Sequence, residues 1–212
     1  MSRSAIRFFI YSILLIGVGG CKTYEDGLQE QHAPPCDIAP FVPKIGKALY
    51  KADVEITGHH LSGLLLFKTM GDSTQRIAFV LETGQSIFDF GFGKDGSFKV
   101  FYVQKKFDRK PVINTLRKDF ELLLLQQHDL RGQETAWSKG GDRYNPYRSG
   151  KEKIWLVTGG NNCDQLVKVL RTSKRKEMVE LYRYPADAAV PDSVWISHKT
   201  FNFTIALKKL EQ

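Results

Sequence analysis

Residues 17–23 read Gly-Val-Gly-Gly-Cys-Lys-Thr, one position away from a phosphate-binding loop. Such a loop needs a glycine directly before its lysine, so that the backbone can fold around phosphate oxygens, and it links a strand to a helix. Lys22 and Thr23 are in place, but Cys21 stands where the glycine belongs. Asp89-Phe90-Gly91 spells the magnesium motif of protein kinases, yet neither a glycine-rich loop nor a His-Arg-Asp catalytic loop accompanies it. Asp89 alternates with Phe88, Phe90 and Phe92, so on a strand it points to the opposite, solvated face. His59 and His60 are neighbours on such a strand and point apart, which suits a turn or edge better than a shared ion. His32, His128 and His198 have no ligand spacing. No G-x-S-x-G surrounds Ser62 or Ser193, and the pair Glu25-Asp26 lies in a polar segment. Nucleophile, base and oxyanion donor are not brought together by any motif. The sequence therefore reads as a non-enzyme with no metal and no other cofactor.

The elements that precede Cys21 explain it differently. Met1 to Arg7 carries Arg3 and Arg7 and no acid, and Phe8 to Gly17 carries no charge. This apolar run is too short to cross a bilayer core of about 30 Å as a helix. A basic start, a short apolar run and small residues make a secretory leader. Val18-Gly19-Gly20-Cys21 resembles a bacterial lipobox, in which the cysteine takes diacylglycerol and palmitate and the chain is cut just before it. On this reading residues 1–20 are the leader and Cys21 is the lipidation site. Residues 21–46, with Pro34, Pro35 and Pro40, form the lipidated N-terminus and a tether, and residues 47–212 form one folded domain. Cys36 and Cys163 remain, an even pair in an oxidising compartment, and are expected to form a disulfide; two buried thiols are the alternative.

The formal net charge is +8, of which Arg3 and Arg7 belong to the leader. The other cations are spread, with clusters at Lys105-Lys106, Arg109-Lys110 and Lys174-Arg175-Lys176. They suit anionic headgroups or an acidic partner, and a merely solvated face equally well. An exported lipoprotein does not meet nucleic acid.

From Lys47 the apolar residues alternate with period two, the mark of strands with one buried face. Tyr50, Ala52, Val54 and Ile56 share a face; Leu61, Leu65 and Phe67, then Ile77, Phe79 and Leu81, then Phe88, Phe90 and Phe92, then Phe98, Val100 and Tyr102 follow. Gly58, Gly71-Asp72-Ser73, Thr83-Gly84-Gln85 and Lys94-Asp95-Gly96 separate them. Asp108 to Gln127 changes to helical spacing, with Asp108 as a cap and Pro111 in the first turn. A glycine-rich loop through Gly132 and Gly140-Gly141 leads to strands at 153–158, 164–172, 177–184, 193–198 and 201–209. The expected fold is mainly β (α+β): a strongly curved antiparallel sheet of about ten strands, an incomplete barrel, wrapped around a central helix.

These segments resemble the superfamily of lipoprotein carriers LolA and LolB, and within it the LolB-like lipoproteins of the Bacteroidetes type. Leu49–Phe67, Phe88–Phe92, Thr115–Leu123 and Pro191–Phe203 carry the likeness, which covers most of Ala48 to Leu210. The resemblance implies a half-barrel with a helical lid that binds acyl chains of lipoproteins or lipids and receives lipoproteins at the outer membrane. It also implies a lipid-anchored monomer, on the periplasmic face rather than the cell surface, with a soluble carrier protein as a partner. LolB inserts an apolar loop residue into the membrane; the matching loop here, Glu82-Thr83-Gly84-Gln85, is polar and departs from that pattern.

The cavity is expected to be lined by Leu65, Phe67, Phe79, Phe88, Phe90, Phe92, Val100, Tyr102, Leu116 and Phe120. Phe90→Asp would then abolish binding while the protein stays folded. A row of alternating aromatics is more often plain sheet core than ligand cavity; the curvature and the single helix shift the balance toward the cavity. The alternative is a structural or sensory lipoprotein with a closed core, docking a protein partner through the basic surface.

Overall fold

In a computed structural model, residues 22–33, 36–37, 39–126, 135–149, 151–160 and 163–211 are described. The alternating segments form a meander: β2 (Lys47–Ile56), β3 (His59–Thr69), β4 (Gln75–Leu81), β5 (Ser86–Phe92) and β6 (Phe98–Val103), each antiparallel to the next. β2 and β3 meet in a two-residue turn with Thr57 and Gly58 both at positive φ, as a tight hairpin requires.

The helix α1 spans Lys110–Leu124, shorter than expected; residue 127 lies outside the described residues. Arg109, not Asp108, stands at the N-cap, and no side chain caps the first turn. Arg117 and Glu121, one turn apart on its surface, form an ion pair of 2.6 Å. Leu125 ends the helix in the left-handed region, its N–H donating to the carbonyls of Glu121 and Leu122.

A second meander follows: β7 (Ala136–Lys139), β8 (Asp142–Ser149), β9 (Glu152–Gly159), β10 (Leu166–Thr172), β11 (Glu177–Tyr184), β12 (Ser193–His198) and β13 (Phe203–Lys209). β13 pairs with β2 and joins the two meanders into one sheet. With β1 (Gln29–Gln31) paired to β7, the order is β1-β7-β8-β9-β10-β11-β12-β13-β2-β3-β4-β5-β6, so β1 and β6 are edges and the barrel does not close.

Among the described residues, thirteen strands therefore replace the expected ten or so. The three additions gave weak signals. β1 is entirely polar. β7 and β8 meet at Gly140-Gly141, whose positive φ angles make a tight hairpin rather than a loose loop. β8 carries Pro146, which has no N–H for the ladder.

The contacts of α1 prove the curvature. Phe120 meets Phe88 and Phe92 of β5, and Asp119 meets Arg171 of β10. β5 and β10 are seven positions apart in the sheet, about 34 Å if it were flat. A helix with its side chains is only about 10–12 Å across, so the sheet curls around it.

The segment read as a tether is docked on the body. Leu28 is buried, β1 extends the sheet, and Glu25 pairs with Lys153. The Tyr24 ring packs 5.5 Å from Trp155, and its hydroxyl donates to Glu177 at 2.9 Å. Burial pushes this phenol well above its ordinary titration range, with the Glu177 carboxylate adding to the effect. The docking accounts for the unbroken buried run Ile154–Thr158 in β9. Ile154 and Leu156 face the main core, while Trp155 and Val157 face a smaller cluster with Leu28, Tyr144 and Leu170 on the other side. A strand covered on both faces loses its polar alternation. Cys36 and Cys163 are joined in a disulfide, with Cα atoms 5.7 Å apart.

Candidate ligand cavity

Between α1 and the first meander lies a cavity of about 350 Å³. Val54 and Ile56 of β2, Leu61 of β3, Phe79 of β4 and Ile87, Phe88 and Phe90 of β5 form the sheet wall. Val103, Phe107, Phe201 and Phe203 close two sides, and Pro111, Val112, Ile113, Thr115 and Leu116 form the helical wall. Among the described residues, Thr115 brings the only polar side chain to the wall and no lining residue is ionisable. The arrangement can bury an apolar ligand; it offers no acid, base or nucleophile.

Two β-bulges aim the wall. Between β4 and β5, Phe79 pairs with Phe88 and Val80 with Ser86, so Ile87 is the extra residue and turns inward. Between β5 and β6, Asp89 pairs with Tyr102 and Phe90 with Val100, leaving Phe101 unpaired. That shift reverses the alternation of β6, so Val103 lines the cavity while Tyr102 faces outward.

Of the residues expected in the cavity, Phe79, Phe88, Phe90 and Leu116 line it. Leu65, Phe67, Phe92 and Phe120 are buried in the packed core rather than in its wall. Phe120 meets Phe67, Phe88 and Phe92 at ring distances of 5.7–6.3 Å, leaving no room for a ligand there. Val100 and Tyr102 are exposed; on an edge strand beyond a bulge, period two no longer selects the inner face. Asp89 is held on the outer face by Arg76, through both Nε (2.8 Å) and Nη2. Phe90 is wholly buried, with Phe88 stacked at 4.5 Å and Phe98 at 5.3 Å. An aspartate there would be an unpaired buried charge, so Phe90→Asp breaks the fold instead of testing the cavity.

Besides Ile87 and Val103, which the bulges turn inward, other lining residues were missed. Val54 and Ile56 carry the right alternation on β2, and the β13–β2 pairing brings Phe203 beside Ile56. Phe107, Pro111, Val112, Ile113 and Thr115 line the cavity because the first turns of α1 face it.

The cavity has one closed end. Phe41 and Ile45, from the segment before β2, are buried in the core. Arg183 Nη2 donates to the carbonyls of Phe41 (2.8 Å) and Ala186 (3.2 Å), and the Tyr50 hydroxyl donates to that of Pro191 (2.7 Å). Burial pushes the Tyr50 phenol up to about 12, with Asp192 adding to it, and the Arg183 guanidinium down to about 10. At the other end, Phe201 is 42% exposed between β12 and β13. The β2–β3 turn, the Glu82–Gln85 turn and the β6–α1 loop share that end, which makes it the mouth. Glu82 to Gln85 is exposed throughout, and Ser62 Oγ donates to Glu82 Oε1 at 2.7 Å.

A buried polar cluster fixes α1. Asp119 is fully buried; His198 Nε2 of β12 donates to one carboxylate oxygen at 2.9 Å and Arg171 Nη2 of β10 to the other at 3.4 Å. Glu152 lies 3.7 Å from Arg171 Nε and accepts from Lys118 Nζ at 2.9 Å. His59 and His60 lie on the exposed start of β3; His60 contacts Glu55 at 2.6 Å and Asp53 at 3.6 Å. Among the described residues no three His, Cys, Asp or Glu side chains are grouped to hold a metal. Cys21 lies outside the described residues.

An open antiparallel sheet curled over one helix, with an apolar cavity between them, defines an unclosed half-barrel. This architecture is LolA-like. A LolA superfamily protein from Nitrosomonas europaea matches 82% of this chain with 88% of its own, at a TM-score of 0.51 and 10% sequence identity. A DUF1329 family protein from Desulfovibrio piger matches 78% of this chain with 84% of its own, at a TM-score of 0.43 and 9% identity. Neither a protein-family model nor a curated protein matches the sequence.

Proposed function

We propose that the protein binds acyl chains of lipoproteins or lipids without covalent chemistry, as a LolB-like lipoprotein of the Bacteroidetes type. Cys21 anchors it to the periplasmic face of the outer membrane, and it acts in lipoprotein reception as a monomer, taking cargo from a soluble carrier protein. The observation that carries this reading is the cavity of about 350 Å³ with one hydroxyl and no charge in its wall. Each methylene buried there contributes roughly 0.8 kcal/mol before the costs of binding. The polar Glu82–Gln85 turn does not supply an apolar insertion loop, whereas the exposed Phe201 sits at the mouth. The open cavity supports this reading over a closed core that docks a protein partner.

Native mass spectrometry on residues 22–212, produced in a bacterial periplasm, tests it. An acylated species bound to the wild type and lost in Leu116→Trp is expected. A clean apo mass that takes up no added lipopeptide would sink the proposal.

A further inference from the structure

The wall of the cavity carries no charge, so a charged headgroup stays at the mouth. The mouth has its own electrostatics. Phe107 and Pro111 line the cavity, which puts the intervening residues at its rim. The stretch 105–110 carries Lys105, Lys106, Arg109 and Lys110, all exposed, against the single acid Asp108. Lys106 Nζ lies 4.8 Å from the ring centroid of Phe107, a residue of the cavity wall. Among the described residues none of these four cations has an ion-pair partner, whereas Arg117 and Lys118, on the next turns of α1, are paired with Glu121 and Glu152. Other acids at this end are engaged: Glu55 and Asp53 by His60, Glu82 by Ser62. Lys199, in the β12–β13 turn, is occupied by Glu180.

We propose that the rim formed by Lys105, Lys106, Arg109 and Lys110 selects ligands whose acyl chain ends in an anionic head, a carboxylate or a phosphate. The chain enters between α1 and β5, and the head stops at the β6–α1 loop, where unpaired cations neutralise it. The uncapped N-terminus of α1 adds a partial charge of the same sign. This inference rests on the acyl-chain reading and deepens it.

The test compares four amphiphiles with one dodecyl chain, below their micelle concentrations, by calorimetric titration of residues 22–212: laurate, dodecyl phosphate, dodecanol and dodecyltrimethylammonium. Both anions are expected to bind at least about tenfold more tightly than dodecanol, and the cation most weakly. The advantage shrinks in high salt, because exposed charges are screened. Replacing Lys105, Lys106, Arg109 and Lys110 together by glutamine is expected to erase the anion preference and leave dodecanol binding in place. The order of laurate and dodecyl phosphate tells whether carboxylate or phosphate is the better head. Dodecanol binding as tightly as the anions, or a glutamine variant that keeps the preference, overturns the rim proposal while the acyl-chain reading stands. If no amphiphile binds, both fall together.

Discussion

His198 of β12 donates to Asp119 of α1 at 2.9 Å, in a site where the carboxylate has no contact with solvent. With Arg171 on the other oxygen, one helical aspartate ties the helix to two strands. The helix that forms one wall of the cavity is thus fixed from the side away from it, and the cavity side is left free of charged groups.

Removing that carboxylate leaves the buried Arg171 with the longer, 3.7 Å contact to Glu152. Asp119→Asn is expected to cost about 3 kcal/mol, read as a lower urea midpoint, and to speed amide exchange in α1. A loss under about 1 kcal/mol would mean that packing alone holds the helix.

The disulfide Cys36–Cys163 closes a separation of 127 residues. In the chain-entropy model a loop of that order stabilises by roughly 4–5 kcal/mol. Replacing both cysteines by serine is expected to lower Tm by about 10 °C. Reductant should bring the wild type to the same value in calorimetry and leave the variant unmoved.

Leu116 faces the cavity from α1 and is only partly buried. Leu116→Trp is expected to reduce acyl binding at least tenfold, with Tm shifted by only a few degrees. Phe67→Ala, within the packed core, should instead cost about 3–5 kcal/mol. Equal stability losses in the two variants would contradict the division between cavity wall and core.

The phenol of Tyr50 is raised to about 12 from 10.0. The folded state holds that proton more tightly, so the contribution is complete below pH 10 and is lost as the pH rises to about 12. Tyr24, Tyr144 and Tyr182 are shifted the same way, chiefly by burial. Arg183, lowered to about 10, acts with the opposite sign over its own range. Comparison with Tyr50→Phe isolates one group: the variant is expected to lose about 1 kcal/mol at neutral pH, from the hydrogen bond to Pro191, and to show a shallower fall in stability between pH 10 and 12. Parallel stability curves would remove Tyr50 from the alkaline transition.

Much of the first meander was legible in the sequence, because each of its strands covers the core with one face and shows period two. Legibility failed where that condition failed. β9 is covered on both faces, so its place under Leu28 and Tyr24 left only a continuous apolar run. β1 and β8 are polar or carry proline, and their partners, not their own sequences, make them strands. In the cavity, Phe79, Phe88 and Phe90 follow from alternation alone. Ile87 and Val103 depend on bulges, and Phe203 on a pairing between the last strand and the second. Local pattern carries none of these.

That pairing has a consequence for the order of events in folding. β13, last in sequence among the strands, lies in the interior of the sheet, with Ile205 beside Val54 and Leu207 beside Ala52. Each meander can assemble from neighbours in sequence, but the seam between them waits for the chain's final stretch and closes a long loop when it forms. Until then β2 presents a bare edge, and Val54 and Ile56 meet water. A chain emerging N-terminus first is therefore sticky along the surface that later becomes the cavity. Cutting it short before Phe203 would not trim a tail; it would unzip the sheet at the seam and leave the cavity without one of its sides.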